Sequence, residues 1–294
     1  MQLFGAPTYP DEVLAIDIGG TKMAIALVSG SGDVRWSRRS PTPRGASAAG
    51  IWGTVEDLFS ALPAGTSPEV CGVGCGGPMA RHGEEVSPLN IPGWRNFPLR
   101  ARVAELTALP TWVDNDAKAL ALGEGWVGDA AGHTDYLSMV VSTGVGAGIV
   151  LDGRLLEGGS GNAGHIGHVI VEPEGRLCEC GARGCLEAEA SGTAIAARTG
   201  ADPAAAGLNE MARSGRLVGR AVATVANLLD LQLATVAGSV ALGFGAPFFE
   251  AAQTELSARA RLSFSAPCRI VPSALGDMGP LIGAAAVGLR GLNA

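Results

Sequence analysis

Between Gly164 and Glu187 the chain reads GHIGHVIVEPEGRLCECGARGCLE, which gathers His168, Cys178, Cys180 and Cys185 into one short segment. One imidazole and three thiolates are the donor set of a closed tetrahedral Zn²⁺ site. Gly181 and Gly184 flank the ligands, where a tight knuckle needs a backbone free of a side chain. The plainer alternative is that small cysteines are simply buried. Four protein ligands leave no open position for water or substrate, so such a metal would shape a loop and not react. His165 stands just before the first ligand and Glu187 just after the last, and the loop would hold both.

Two further stretches have phosphate and acid chemistry in their residue types. Asp17-Ile18-Gly19-Gly20-Thr21-Lys22 joins two apolar β-rich runs as a hairpin turn, whose N–H groups can approach an oxyanion with Thr21 and Lys22 beside them. Asp17, ending the first run, is placed to hold Mg²⁺ through water. A ligand-free Gly-Gly hairpin would read the same way. Asn115-Asp116 ends another strand-like run just before a helical one. There an acid is either a helix N-cap or a functional carboxylate.

The run from Gly167 to Glu187 resembles the signature of the ROK family of sugar kinases and sugar-responsive repressors. His168, Gly175, Cys178, Cys180, Gly181, Gly184, Cys185 and Glu187 stand where that signature has them, and the likeness runs from Asp17 to the C-terminal GPLIGAAAVG. The resemblance implies an α/β protein with a two-domain actin-like ATPase (ribonuclease H-like) fold and a cleft between duplicated halves. It implies ATP-dependent phosphorylation of a hexose or hexose derivative at the C6 hydroxyl, with Asp116 as general base and Mg²⁺ accompanying ATP. Thr143, Gly144 and Gly146 would form a second phosphate turn beside that of Asp17, Gly19, Gly20, Thr21 and Lys22, and Gly238 would contact the adenosine. Gly77, Asn90, Asn115, Asp116, His165, His168 and Glu187 would meet the sugar. A homodimer is also implied.

One position departs from the family pattern. Sugar kinases of this family usually carry glutamate three residues before the metal histidine, and this chain has His165 there. A carboxylate accepts two hydroxyl protons, whereas a neutral imidazole donates one hydrogen bond and accepts one. The exchange favours an acetamido or other acceptor-bearing substituent over plain glucose, or else makes His165 a spacer. Two alternatives stay open: a non-catalytic sugar sensor, and a kinase whose donor is polyphosphate. The family's repressors carry a DNA-binding segment before the first glycine turn, for which the residues preceding Asp17 leave no room.

The elements that must position these residues follow from pattern. Val13–Val28 reads as a hairpin, Val34–Ser40 as further β structure, Gly50–Leu62 as a helix, and Val70–Pro78 as a buried strand entering a glycine turn. Thr111–Asp116 reads as a strand emptying into a helix, and Tyr136–Leu155 repeats the design of the first hairpin, the mark of an internal duplication. Helices are expected over Glu189–Arg213 with a break near Asp202-Pro203, over Gly215–Leu231, and over Gly279–Leu292. Leu233–Phe244 reads as a strand and turn. Together these predict a smaller domain over 1–113 completed by 279–294, and a larger one over 114–278 that carries the metal loop.

Composition bounds the rest. The 294 residues are 47% apolar and 17% charged, enough to bury two cores, and the 44 glycines point to many close backbone approaches. A net charge of −7 argues against nonspecific nucleic-acid binding. No apolar run reaches a membrane span, and the N-terminus shows no secretory leader. With paired thiol ligands, a reducing cytoplasm is expected, and Cys71, Cys75 and Cys268 are expected as packed free thiols.

Overall fold

The computed structural model describes residues 10–293, which divide into two compact units. The first comprises the segment ending at Ala131, Leu155–Ala163, and the segment from Leu275; the second comprises Gly132–Arg154 and Gly164–Ala274. The expected boundary at 113/114 is therefore moved. The helix that begins at Asp116 packs on the C-terminal helix, and so stays with the first unit. The N-terminal stretch in which no secretory leader is expected lies at residues 1–9, outside the described residues.

The first unit is built on β1 (Glu12–Ile18), β2 (Lys22–Ser29), β3 (Val34–Pro41), β4 (Val70–Cys75) and β5 (Thr111–Asn115), in the order β3-β2-β1-β4-β5. The β1–β2 and β2–β3 pairs are antiparallel, while β1–β4 and β4–β5 are parallel. Strand alternation sends Leu14, Ile16 and Ile18 to one face, where α1 (Ala48–Ser60) supplies Ile51, Trp52 and Val55 and α2 (Leu99–Thr107) supplies Leu99 and Val103. Val13 and Ala15 go to the other, against Leu281, Ala284, Ala285 and Leu289 of the C-terminal helix. With both faces covered, β4 is buried throughout and β1 at every residue after Glu12. Helix α3 (Asp116–Val127) follows β5 directly.

In the second unit β6 (Tyr136–Val141), β7 (Val145–Leu151), β8 (Arg154–Leu155), β9 (Leu233–Ala237) and β10 (Arg269–Pro272) take the order β10-β9-β6-β7-β8. The β6–β7 pair is antiparallel and the β6–β9 and β9–β10 pairs are parallel. Strand for strand, this is the order of the first sheet. Its helices are α4 (Leu186–Ala190), α5 (Gly192–Thr199), α6 (Leu208–Leu229), α7 (Ser239–Phe244) and α8 (Ala246–Arg259); the C-terminal helix, Gly279–Leu292, is α9.

Helix α6 starts at Leu208 and not at Gly215. Gly215 and Gly219 sit one turn apart where α8 crosses, and a Cβ on either would overlap the Phe248 or Ala252 carbonyl. Those glycines mark a packing groove instead of a helix start. Helices α2 and α8 and strand β10 are additions to the elements expected from pattern. Among the described residues no helix is long and apolar enough to cross a membrane.

Candidate active site

In the first unit the residues expected to meet phosphate and acceptor gather at the C-terminal ends of β1, β4 and β5. Asp17 pairs with Gly74, which has no side chain to separate the strands' neighbours. A Cβ at Gly74 would lie 3.8 Å from Asp17 Oδ1 and 3.7 Å from the Asp116 Cα, so both acids flank that glycine. Burial pushes the Asp17 carboxyl up to about 7, the Asp116 charge adds to the rise, and Lys22 and Arg39 oppose it. A buried acid beside a second acid is a place where a divalent cation would be welcome.

The glycine turn is braced from below. Gly19 N donates to the Lys22 carbonyl at 3.0 Å, Thr42 Oγ1 donates to the Gly19 carbonyl at 2.6 Å, and Thr42 N donates to the Thr21 carbonyl at 3.0 Å. Thr42 was not among the residues singled out by the sequence; its place just past β3 gave no signal. Gly20 approaches Asn90 so closely that a Cβ would overlap it, and a cavity of about 210 Å³ opens there, lined by Gly20, Thr42, Arg44, Ile51, Asn90 and Gly93. Gly77 lies in the turn after β4, its carbonyl accepting from Leu89 N at 3.2 Å. Trp94 is structural: it is fully buried, stacked on Phe97.

Asn115 is the N-cap of α3, its Oδ1 accepting from Ala117 N at 3.0 Å and Lys118 N at 3.4 Å. Asp116 Oδ1 also accepts from Ala117 N, at 2.9 Å. Capping uses one end of the Asn115 amide and leaves its NH₂ to act as a donor. One turn further on lies Lys118, for which local pattern predicts no role. Lys118 is 2% exposed and bonds Asp114 at 3.0 Å, Glu157 at 2.5 Å and the Gly161 carbonyl at 3.1 Å. Arg290 of α9 joins the same acids. Burial raises the Asp114 carboxyl against the pull of Lys118; at Glu157 burial is outweighed by Lys118 and Arg290, which hold it low. A lysine inside the apolar run AKALALGEG was the available clue.

In the second unit the β6–β7 turn is Ser142–Gly144, with Val141 and Val145 the last pair of the ladder. Gly146 falls inside β7 opposite Val140, so it is a strand residue and not part of the turn. The turn is held by α5, where Gly192 N donates to the Ser142 carbonyl at 2.7 Å and Thr193 Oγ1 to the Thr143 carbonyl at 2.9 Å. Gly238, at φ 100°, links β9 to α7, and the Ser142 and Ser239 hydroxyls meet at 3.0 Å.

The four expected metal ligands converge. The ligand atoms of His168, Cys178, Cys180 and Cys185 all lie within 4.8 Å of one another, with His168 Nδ1 to Cys178 Sγ and Cys180 Sγ to Cys185 Sγ both 3.7 Å. A disulfide needs sulfurs about 2 Å apart. A tetrahedron with Zn–S bonds of about 2.3 Å has edges of about 3.8 Å. The donor set and spacing thus fit a tetrahedral metal ion. Burial, together with the two neighbouring thiols, pushes Cys185 up to about 12, so the cluster needs a cation before all three can be thiolates.

Around the cluster, Gly181 N donates to the Cys178 carbonyl at 2.9 Å and Cys178 N to the Ala182 carbonyl at 2.8 Å. Glu189, 2% exposed, ties the knuckle to α6 by accepting from Arg176 N at 2.6 Å and from Arg213 at 2.5 Å. The His165 and His168 rings are stacked 6.2 Å apart. Glu187, in the first turn of α4, accepts from Val145 N at 2.9 Å. The loop therefore brings His165, His168 and Glu187 together beside the β6–β7 turn.

The two like-ordered sheets carry two glycine turns, an acid pair and a thiol-rich loop, and comparison with known proteins says which class of protein shares them. The ROK family profile matches residues 13–290, and the chain belongs to the ROK family. It is 39% identical over 251 residues to an N-acetylmannosamine kinase from Citrobacter koseri, covering 80% of this chain and 85% of the relative. A ROK family glucokinase from Streptomyces griseus, solved in complex with glucose and AMPPNP, superposes with a TM-score of 0.81 at 28% identity, over 94% of this chain and 99% of that one. A ROK hexokinase from Thermus thermophilus gives 0.78 at 29% identity, over 96% and 99%. The chain is a sugar kinase with the two-domain actin-like ATPase α/β fold.

Proposed function

We propose that this kinase transfers the γ-phosphate of ATP to the C6 hydroxyl of an N-acylated hexosamine, with N-acetylmannosamine the first candidate. The observation that carries the choice of sugar is His165 next to the metal loop, in a chain 39% identical to N-acetylmannosamine kinases. An imidazole offers one donor to an acyl oxygen where a carboxylate could only accept. Asp116 takes the proton as the hydroxyl attacks, since phosphoryl transfer asks for an aligned acceptor, a base and neutralised phosphate charge. Gly77, Asn90, Asn115, His165, His168 and Glu187 are assigned to the sugar.

Gly19, Gly20, Thr21 and Lys22, with Thr143 and Gly144, are assigned to the phosphates, and Gly238 to adenosine. Asp17 would hold Mg²⁺ through water; the pressure to lose its charge when no cation is present supports that role. His168, Cys178, Cys180 and Cys185 would hold Zn²⁺, which when bound neutralises the thiolates and fixes the loop. With Nδ1 on the metal side, His168 keeps Nε2 for a sugar hydroxyl. The reading includes a homodimer in the cytoplasm, and the mass of the protein in solution tests the dimer.

The deciding experiment is ADP release with Mg-ATP across glucose, mannose, N-acetylglucosamine and N-acetylmannosamine. The expected result is the highest kcat/KM with N-acetylmannosamine. Equal turnover of glucose would remove the acyl assignment, and sugar binding without any ADP release would favour the non-catalytic alternative. Sugar phosphate formed from polyphosphate and not from Mg-ATP would move the donor.

A further inference from the structure

Glu187 touches more than the sugar side of its loop. Its Oε2 accepts from Val145 N, the first residue of β7 after the Ser142–Gly144 turn, at 2.9 Å. The contact is built in by missing side chains. A Cβ on Gly144 would lie 2.8 Å from that oxygen, and one on Gly167 would lie 3.3 Å from the Glu187 Cβ. Among the described residues Oε1 carries no hydrogen bond, so one oxygen holds the turn and the other is free for a hydroxyl. Cys185, the N-cap of α4, stands two residues earlier in the metal cluster, and Leu186 N is fastened to the Val169 carbonyl at 2.9 Å.

We infer that Glu187 is a positioning residue for the nucleotide phosphates, through which the metal loop sets the geometry of the Ser142–Gly144 turn. The inference rests on the assignment of Thr143 and Gly144 to the phosphates made above. A carboxylate is short and planar, so a swing of Oε1 cannot leave Oε2 where it was. The N–H of Val145 shares its peptide plane with the Gly144 carbonyl, which accepts from Ser142 N at 2.9 Å, so holding that N–H fixes the end of the turn that carries the Thr143 and Gly144 N–H groups. The metal holds α4 at its first turn, and α4 holds the carboxylate. Nucleotide affinity measured with no sugar present therefore depends on Glu187 and on the metal, a dependence that a residue serving only the sugar would not produce.

The test is calorimetric titration of a non-hydrolysable ATP analogue with Mg²⁺, in the absence of sugar, into wild-type protein, Glu187→Ala and Glu187→Gln, with metal content measured for each. Glutamine keeps an oxygen for Val145 N but turns an amide toward the sugar. The expected result is a loss of about tenfold in analogue affinity for Glu187→Ala, the scale of one charge-assisted hydrogen bond. Glu187→Gln stays within about threefold of wild type for the analogue while its sugar affinity falls by at least tenfold. Stripping the metal weakens analogue binding by wild type but adds little to Glu187→Ala, because the two act along one path. Wild-type affinity in a metal-replete Glu187→Ala protein, or equal losses in both variants, would overturn the inference alone. A wild-type protein that bound no nucleotide would overturn the kinase reading, and this inference with it.

Discussion

Asp17 is held in its charged form at a cost. Burial raises its carboxyl from the ordinary 3.8 to about 7, so between those values the folded chain binds a proton that the unfolded chain has released. Stability contributed by this group is therefore lost as pH rises from about 4 to 7, by at most about 4 kcal/mol from the size of the displacement. Asp17→Asn is expected to raise the Tm of the metal-free protein at pH 8, with the gain shrinking as pH is lowered toward 4. The same variant should abolish turnover, because the amide cannot hold a hydrated cation as the carboxylate does. Added Mg²⁺ should stabilise wild type more than the variant. Thermal melts across pH with and without Mg²⁺ check all three. Asp116 makes a different demand. Its removal as Asp116→Asn keeps the contact that Oδ1 makes with Ala117 N, so the start of α3 should survive. The expected loss is about 10²- to 10⁴-fold in kcat, the range for a missing general base, with sugar affinity within about threefold. Single-turnover rates and sugar titration separate these effects.

At the scale of the element, α3 owes its placement to Lys118. The ammonium is buried between Asp114 and Glu157 and also bonds the Gly161 carbonyl, so it ties the helix start to Leu155–Ala163, and Arg290 draws α9 to the same acids. Removing one member of a buried charge cluster leaves the others uncompensated, at about 3–5 kcal/mol. Lys118→Met should cost that much in urea unfolding, and adding Asp114→Asn should recover part of it, since the orphaned carboxylate is gone. A loss below about 1 kcal/mol would mean that water reaches the cluster. Nothing in local pattern shows such a network, because Glu157 and Arg290 lie far from Lys118 in sequence. The same limit explains the rest of what pattern missed. The convergence of His168 with Cys178, Cys180 and Cys185, the first hairpin turn and the strand end at Asn115-Asp116 are short-range features and are legible in sequence. Thr42, Glu189 and the Val145 bond of Glu187 act across elements and were not. Gly215 was read as a boundary because a glycine in a helix is ordinarily a penalty, yet here α8 needs the space. Gly146 was read into a turn because the glycine spacing of TGVG is silent about where the ladder closes.

For the whole molecule, the two sheets share one strand order, but different helices close them. The second unit is closed by its own helices, with α6 packed on α8 and the sheet continuous from β10 to β8. The first is closed by the last helix of the chain. Leu281 and Leu289 of α9, with Ala284 and Ala285, cover Val13, Ala15, Ala24 and Val70, and Ile282 and Val287 of the same helix are also buried. Four large side chains at about 1.5–3 kcal/mol each give about 6–12 kcal/mol, against about 5–15 kcal/mol for the stability of an entire domain. A chain ending before Gly279 should therefore be unable to keep the first sheet folded, whereas the core of the second loses none of its own packing. Hydrogen exchange on the shortened chain is expected to show loss of amide protection throughout β1, β4 and β5, with β6 and β9 still protected. His168, Cys178, Cys180 and Cys185 all lie in the second unit, so a metal ion held by them should stay with the shortened chain. Loss of protection in β6 and β9 to the same extent would show that α9 is required by both units, and that the autonomy argued from their separate cores is wrong.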